Sequence, residues 1–368
     1  MFINKLWVTL CVLLFCGAGF AQSKMPAERA LAFHRAKSLD NGVSISWLEQ
    51  TWKSDILDAN AVKSSDFQLL KQLGFKSIRL PVAFEHFESD NDSMQKVFGY
   101  IDEILKQCKL YGFRLIICYH SGHLNDNNYL TETPKVINLW TNLTNKYKYE
   151  SPENLFFEIF NEPPHMDPGV WKDAAYNIVT AIHKIDKNRT LIVGSSNFNS
   201  IYELSRFVRL ADENIIYTFH FYEPFYFTHQ GVAWIGDQVA TTGVPFPYDP
   251  NNFPSLNSKA RGTAGEDHYN LYPKDGNERA IHDKLLIAKN WGAKYDVPLL
   301  CGEYGVYNEY ADLNSRCRYI KAMRKELRNL AMPGILWDYN TNFSIFNGEP
   351  SLAHLPDCMK DAINYHGK

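Results

Sequence analysis

The chain has 368 residues, of which 45% are hydrophobic and 21% charged, a balance that can bury a large core and excludes a disordered polymer. Lys and Arg total 38 against 41 Asp and Glu, a net charge of −3, which argues against a nucleic-acid partner because such partners need a basic footprint. Aromatic residues make up 14% of the chain, and they serve either a large core or stacking surfaces for flat ligands such as sugars.

At the N-terminus, Lys5 precedes an apolar run from Leu6 to Ala21, with small residues at Gly19 and Ala21 before Gln22. This is the layout of a secretory signal peptide, and the run is short for a bilayer-spanning helix. We therefore expect residues 1–21 to be a signal peptide and residues 22–368 to form one exported domain, released outside the cell or into a periplasm. Lipid attachment at Cys16 is the weaker reading, because Phe15 is bulky where such sites take a small residue. No later segment reaches eighteen uninterrupted apolar residues, so no membrane span is expected. Cys108, Cys118, Cys301, Cys317 and Cys358 would remain, and an odd count leaves at least one thiol free. Cys118 and Cys301 sit in apolar runs and read as core residues; Cys317 and Cys358 are the first pair in which to look for a bridge. No Cys or His spacing suggests a metal site, and no cofactor is expected.

Beyond the leader, short apolar runs alternate with longer amphipathic stretches. The predicted strands are 42–46, 77–81, 114–119, 155–161, 190–194, 215–220, 298–303 and 334–338. The predicted helices between and after them are 65–73, 93–111, 135–149, 170–187, 200–210, 278–291, 313–329 and 357–365. Runs such as Arg114-Leu-Ile-Ile-Cys-Tyr119 are apolar on both faces, as strands of a covered parallel sheet must be. Eight strands each followed by a helix is the arithmetic of a closed (β/α)8 TIM barrel in a single α/β domain. An open doubly wound sheet would carry a Gly-rich phosphate loop after its first strand, and Gly42-Val-Ser-Ile-Ser46 is not one. One connection breaks the rhythm: from Tyr222 to Asn277, after strand six, no helix is predicted, and the segment's aromatic content makes it the expected wall of a cleft.

Barrel enzymes place their chemistry at the C-terminal ends of strands. There the apolar runs finish with Arg79, His120, Asn161-Glu162, His220-Phe-Tyr222, Glu303 and Trp337-Asp338. Glu162 and Glu303 form the kind of carboxyl pair that cleaves a glycosidic bond: one protonates the leaving oxygen while the other attacks the anomeric carbon or activates water. Arg79 can hold a neighbouring carboxylate charged, Asn161 can bond a sugar hydroxyl, and Trp337 offers a flat apolar face. Glu158 is two residues from the end of its run and reads as a buried structural carboxylate that needs a basic or hydroxyl partner.

Asn161-Glu162-Pro163 after an apolar strand, with Glu303 closing strand seven, resembles glycoside hydrolase family 5 of the retaining barrel clan. The family's recurring Arg, His, Asn-Glu, His-x-Tyr, Glu and Trp fall in order on Arg79, His120, Asn161, Glu162, His220, Tyr222, Glu303 and Trp337. The resemblance covers residues 40–340. It implies a retaining double displacement with Glu303 as nucleophile and Glu162 as acid and then base. Tyr222 and Arg79 would hold Glu303; His120, Asn161 and His220 would bind the sugar or tune the carboxylates, and Trp337 would stack beneath it. The implied activity is a monomeric, cofactor-free endo-β-1,4-glucanase (cellulase) acting on a β-linked polysaccharide. A mannanase, a mixed-linkage glucanase, a xyloglucanase or a chain-end-acting enzyme remain alternatives, as does a barrel that binds polysaccharide without turnover. Trp47, Phe225, Tyr226 and Trp234 are further candidate sugar platforms, with Phe84, Trp171 and Tyr339 behind them.

Overall fold

The computed structural model describes residues 25–49, 62–87, 91–120 and 122–367; the expected signal peptide and Cys16 lie outside the described residues. Eight parallel strands close into a barrel in chain order: β1 (Gly42–Ser44), β2 (Ser77–Val82), β3 (Arg114–Tyr119), β4 (Leu155–Glu158), β5 (Leu191–Val193), β6 (Ile215–His220), β7 (Leu299–Tyr304) and β8 (Gly334–Leu336). The ring shuts where Val43 of β1 pairs with Leu336 of β8. The single (β/α)8 barrel read from the sequence is the architecture observed.

Two cores hold it together. The larger lies between the sheet and the surrounding helices, where side chains such as Ile78, Leu115, Phe157, Val193 and Tyr217 meet Trp140, Trp171 and Trp291. The smaller fills the barrel's lower lumen with Ile116, Phe156, Ile192, Ile216, Leu300 and Ile335, one residue from each of six strands, as layered barrel interiors require. Ala36 and Leu39 close this plug from below. They come from the helix Ala27–Ser38 and its C-terminal end, an element the sequence reading did not list. That helix carries only a weak apolar stripe, and buried Arg35 ties it to the barrel through Glu153, the Asn188 carbonyl and Thr190.

Above the plug the strand residues become polar. Most strands stop pairing one to three residues earlier than their apolar runs suggested, β4 at Glu158 and β8 at Leu336. Beyond these points the backbone leaves the ladder and side chains at the mouth take over the hydrogen bonding.

The connection after β6 differs from expectation. It contains the helix Ala264–Asp275, capped by Thr263, which had been read as irregular chain. Only Gly265 and Tyr272 of that helix are buried, and Pro273 lies inside it, so no apolar stripe at helical period is present to find. Gly265 is required where the helix crosses residues 237–239: a Cβ there would lie 2.0 Å from the Gln238 carbonyl oxygen. Tyr272 donates to the Pro245 carbonyl at 2.6 Å and stacks on Phe253. The connection is an ordered wall with its own aromatic core.

Cys317 and Cys358 form a disulfide between the helix Leu313–Asn329 and the helix Asp357–Ala362. Cys108, Cys118 and Cys301 are free and buried.

Candidate active site

A cleft of about 1030 Å³ opens over the C-terminal ends of the strands, lined by His120, Asn161, Glu162, His220, Tyr222, Glu303 and Trp337 among others. Arg79 lies beneath it, fully buried. All eight strand-end residues singled out in the sequence are therefore brought to one place, seven on the surface of the cleft and one under its floor.

Glu303 reaches the floor through an irregularity in β7. Along β6 and β7 the register runs Phe219 with Cys301 and then His220 with Glu303, skipping Gly302, and the pairing with β8 slips at the same point. One extra residue in a strand turns the following side chains to the opposite face. Glu303 thereby faces the cleft beside His220. Gly302 is small by necessity, since a Cβ there would lie 2.5 Å from Thr218 Oγ1 and 3.2 Å from His220 Nε2.

Arg79 organises the floor. Its guanidinium donates to both oxygens of Glu158 at 2.6 and 2.8 Å, to Glu303 Oε1 at 2.6 Å, to Asn161 Oδ1 at 2.6 Å and to Cys118 Sγ at 3.2 Å. Glu158 is the buried, paired carboxylate expected from its position. The Arg79 bond also fixes the Asn161 amide: with Oδ1 taken, Nδ2 is the end left to donate. Tyr222 donates to Glu303 Oε2 at 2.7 Å. Burial, and then the charges of Glu303 and Glu162, hold the Tyr222 hydroxyl well above its usual pKa, so it remains a donor.

Glu162 bonds through Oε1 to His220 Nδ1 at 2.6 Å, and the same nitrogen lies 3.5 Å from Glu303 Oε2. Burial acts to raise the Glu162 carboxyl, but the hydrogen bond and charge of His220, with His120 and Arg79, outweigh it and hold the group below the usual carboxylate value. His220 moves the other way. Burial works against its charge, and Glu303 and Glu162 overcome that to raise it. The unliganded site is thus carboxylate at Glu162 and imidazolium at His220. One ligand atom from each of Glu162, His220 and Glu303 falls within a 4.8 Å span. That trio resembles a cation site only superficially: both Glu303 oxygens are already engaged and a guanidinium occupies the floor, so the group is arranged for proton chemistry.

Trp337 lies flat against His120, with ring centroids 5.9 Å apart and planes 9° from parallel. Glu49 approaches His120 Nε2 at 3.5 Å, and its other oxygen is buried without a partner. Glu49 follows the first strand's predicted end at Ser46 by three residues, so the strand-end rule could have found it. His229 is a second residue the sequence reading missed, and an isolated His in an aromatic run carries no signal there. It packs edge-on against Tyr222 at 4.8 Å and stacks on Phe225 at 4.2 Å. Burial drives its pKa down to about 3. The Thr228 hydroxyl donates to the Tyr222 carbonyl, so His229 Nδ1 donates to Thr228 Oγ1 at 3.0 Å, leaving Nε2 as an acceptor.

Of the candidate platforms, Phe225 and Trp234 line the cleft. Tyr226 does not: it is buried under the connection between Tyr269 and Tyr272. Trp47 packs edge-on against Phe67 and Tyr339 and is not part of the lining. Phe84, Trp171 and Tyr339 are core residues; Trp171 donates to the Gly194 carbonyl and Tyr339 to Asp66.

The opposite wall comes from the turn after β5. Asn197, Phe198 and Asn199 all have φ near +57°, a conformation that costs a non-glycine residue about 1–2 kcal/mol. The turn is tied down on the Glu162 side: Asn197 N donates to the Pro164 carbonyl, Phe198 N to the Pro163 carbonyl and Asn199 Nδ2 to the Asn161 carbonyl.

Residues 37–343 match the family model described as Cellulase (glycosyl hydrolase family 5). Among relatives, Endoglucanase 3 of Fibrobacter succinogenes is 30% identical over 357 residues, covering 90% of this chain and 54% of its own length. Endoglucanase C of Acetivibrio thermocellus is 29% identical over 303 residues, covering 78% and 86%. The chain thus spans about half the length of the first relative and most of the second. The crystal structure of the endoglucanase Cel5A from Thermotoga maritima superposes with a TM-score of 0.74 at 24% identity, over 90% of this chain and 99% of that one, a likeness of fold.

Proposed function

The chain belongs to glycosyl hydrolase family 5, and from that premise we propose that it is an exported endo-β-1,4-glucanase that cleaves internal bonds of a β-linked polysaccharide with retention of configuration. The observation that carries this reading is the placement of Glu162 and Glu303 across one cleft, an oxygen of each within 4.8 Å of the other. Retaining glycosidases hold their carboxyl groups about 5–5.5 Å apart, whereas inverting enzymes leave roughly 6.5–9.5 Å for a water.

In the proposed reaction Glu303 is the nucleophile. Arg79 and Tyr222 each bond one of its oxygens and orient the carboxylate toward the anomeric carbon. Glu162 donates a proton to the leaving oxygen, which departs as the sugar joins Glu303 through an ester bond. Glu162 then takes a proton from water, and that water displaces Glu303 from the same face as the original leaving group. The proton starts on His220 and reaches Glu162 along their 2.6 Å bond as bound sugar excludes water from the pair. Asn161 Nδ2 serves a sugar hydroxyl, and Trp337 supplies the apolar platform.

The names of the relatives support a glucan substrate. A second substrate, β-mannan, has one observation in its favour: the T. maritima Cel5A structure has been determined with mannotriose as well as with cellobiose. The apolar leader from Leu6 to Ala21 supports export.

The test is hydrolysis of a soluble cellulose derivative, barley β-glucan, galactomannan and xyloglucan, with NMR of the first product before mutarotation. A β-anomer and a ladder of oligosaccharides from glucan are expected. Glu303→Gln should lower turnover by about 10³-fold or more. An α-anomer, or an undiminished rate in that variant, overturns the assignment.

A further inference from the structure

The cleft extends well past the reacting pair. Beyond Glu162 it is walled on one side by Phe198 and Tyr202, and on the other by Trp234, Gln238 and His268. Three of these are large aromatic residues left in the open, Phe198 at 56%, Tyr202 at 44% and Trp234 at 62% exposure. Aromatic rings that line a cavity without being buried are surfaces for a ligand with apolar faces. His268 adds an Nδ1 that is buried and has no partner, a polar group available to a hydroxyl.

We propose that Phe198 and Tyr202, facing Trp234, Gln238 and His268, form a binding subsite for the leaving-group portion of a β-linked glycan. This deepens the hydrolase reading and rests on it. The side of the scissile bond follows from how the walls are joined. The sugar attacked by Glu303 lies over Trp337, whose ring is stacked on His120. The departing oxygen leaves toward Glu162, the proton donor. Phe198 stands on that same side, because its backbone N–H donates to Pro163, the residue after Glu162, at 2.9 Å. The left-handed conformation of Asn197–Asn199 holds Phe198 in the open, where a relaxed turn would direct the ring elsewhere. Strain kept beside a reaction centre is maintained by function rather than by packing.

The test compares two substrates: cellohexaose, which extends across the subsite, and an aryl β-cellobioside, whose small leaving group does not. In Phe198→Ala and in Tyr202→Ala, the ratio of kcat/KM for cellohexaose to that for the aryl cellobioside should fall about tenfold, and the cellohexaose cleavage pattern should shift. Phe198→Trp should restore the ratio. Tyr176→Ala, on an exposed outer helix, is the control and should leave it unmoved. If both substrates lose activity equally, Phe198 acts by holding the Glu162 segment and the subsite assignment is overturned; an unmoved ratio overturns it as well. If the parent protein hydrolyses neither substrate, the hydrolase reading fails, and this inference fails with it.

Discussion

The Nδ1 of His220 lies 2.6 Å from Oε1 of Glu162, close enough for one proton to serve both groups. The two pKa shifts are opposite in sign because the pair is most stable as imidazolium and carboxylate. In folding terms, a His raised above its usual 6.5 contributes fully below that pH, and the contribution fades as pH rises through the folded value. A Glu lowered from 4.5 contributes fully above that pH and fades as pH falls through its folded value. The pair therefore stabilises the fold most completely between pH 4.5 and 6.5.

Replacing His220 by Asn removes the main cause that lowers Glu162 and leaves burial, which raises it. The proton that sustains catalysis then belongs to a single carboxyl group. In the parent the alkaline limb of kcat/KM reports the coupled pair and lies above pH 6.5. In His220→Asn that limb should move acidward, with kcat reduced about tenfold or more. A pH–rate profile on an aryl β-cellobioside measures both, and an unmoved limb would show that His220 does not hold the proton.

Glu158 is fully buried and shares Arg79 with Glu303. Removing one partner of a buried ion pair leaves the other charge uncompensated, so Glu158→Gln should lose about 3–5 kcal/mol of stability in urea unfolding. The exposed Lys321–Asp361 pair makes the contrast: Asp361→Asn should cause no measurable change.

Asp338 follows the platform residue Trp337 and is buried completely, accepting from Ser46 and from the Thr341 backbone and hydroxyl. Burial raises its pKa from 3.8 to about 6. Between those values the folded state binds the extra proton, so this residue makes stability fall as pH rises from 3.8 to about 6. Asp338→Asn should flatten that slope by about one proton, read from urea midpoints across the window. A slope identical to the parent's would mean that Asp338 is ionised throughout.

The barrel was legible in the chain because covered parallel strands must be apolar on both faces, and that requirement prints short continuous runs such as Leu115–Tyr119 between amphipathic helices. The helix Ala264–Asp275 was not legible, because an element that buries little more than Tyr272 needs no periodic stripe. Tyr226 and Trp234 illustrate the same limit at the site. Both are aromatic residues of one connection, yet one is packed beneath it and the other stands in the cleft.

What the sequence determined by itself was the architecture and the chemical identity of the mouth: a polar residue closing each apolar run, with carboxyl groups at Glu162 and Glu303. What the tertiary structure alone decided was direction. Simple alternation along β7 would send Glu303 to the face opposite Gly302 and away from the lumen, and the extra residue at 302–303 reverses it. Glu49, His229 and Phe198 reach the cleft through turns whose ends are tied to distant segments. Side-chain direction at such places depends on register and on hydrogen bonds between residues far apart in the chain, and no local pattern of residue types carries that information.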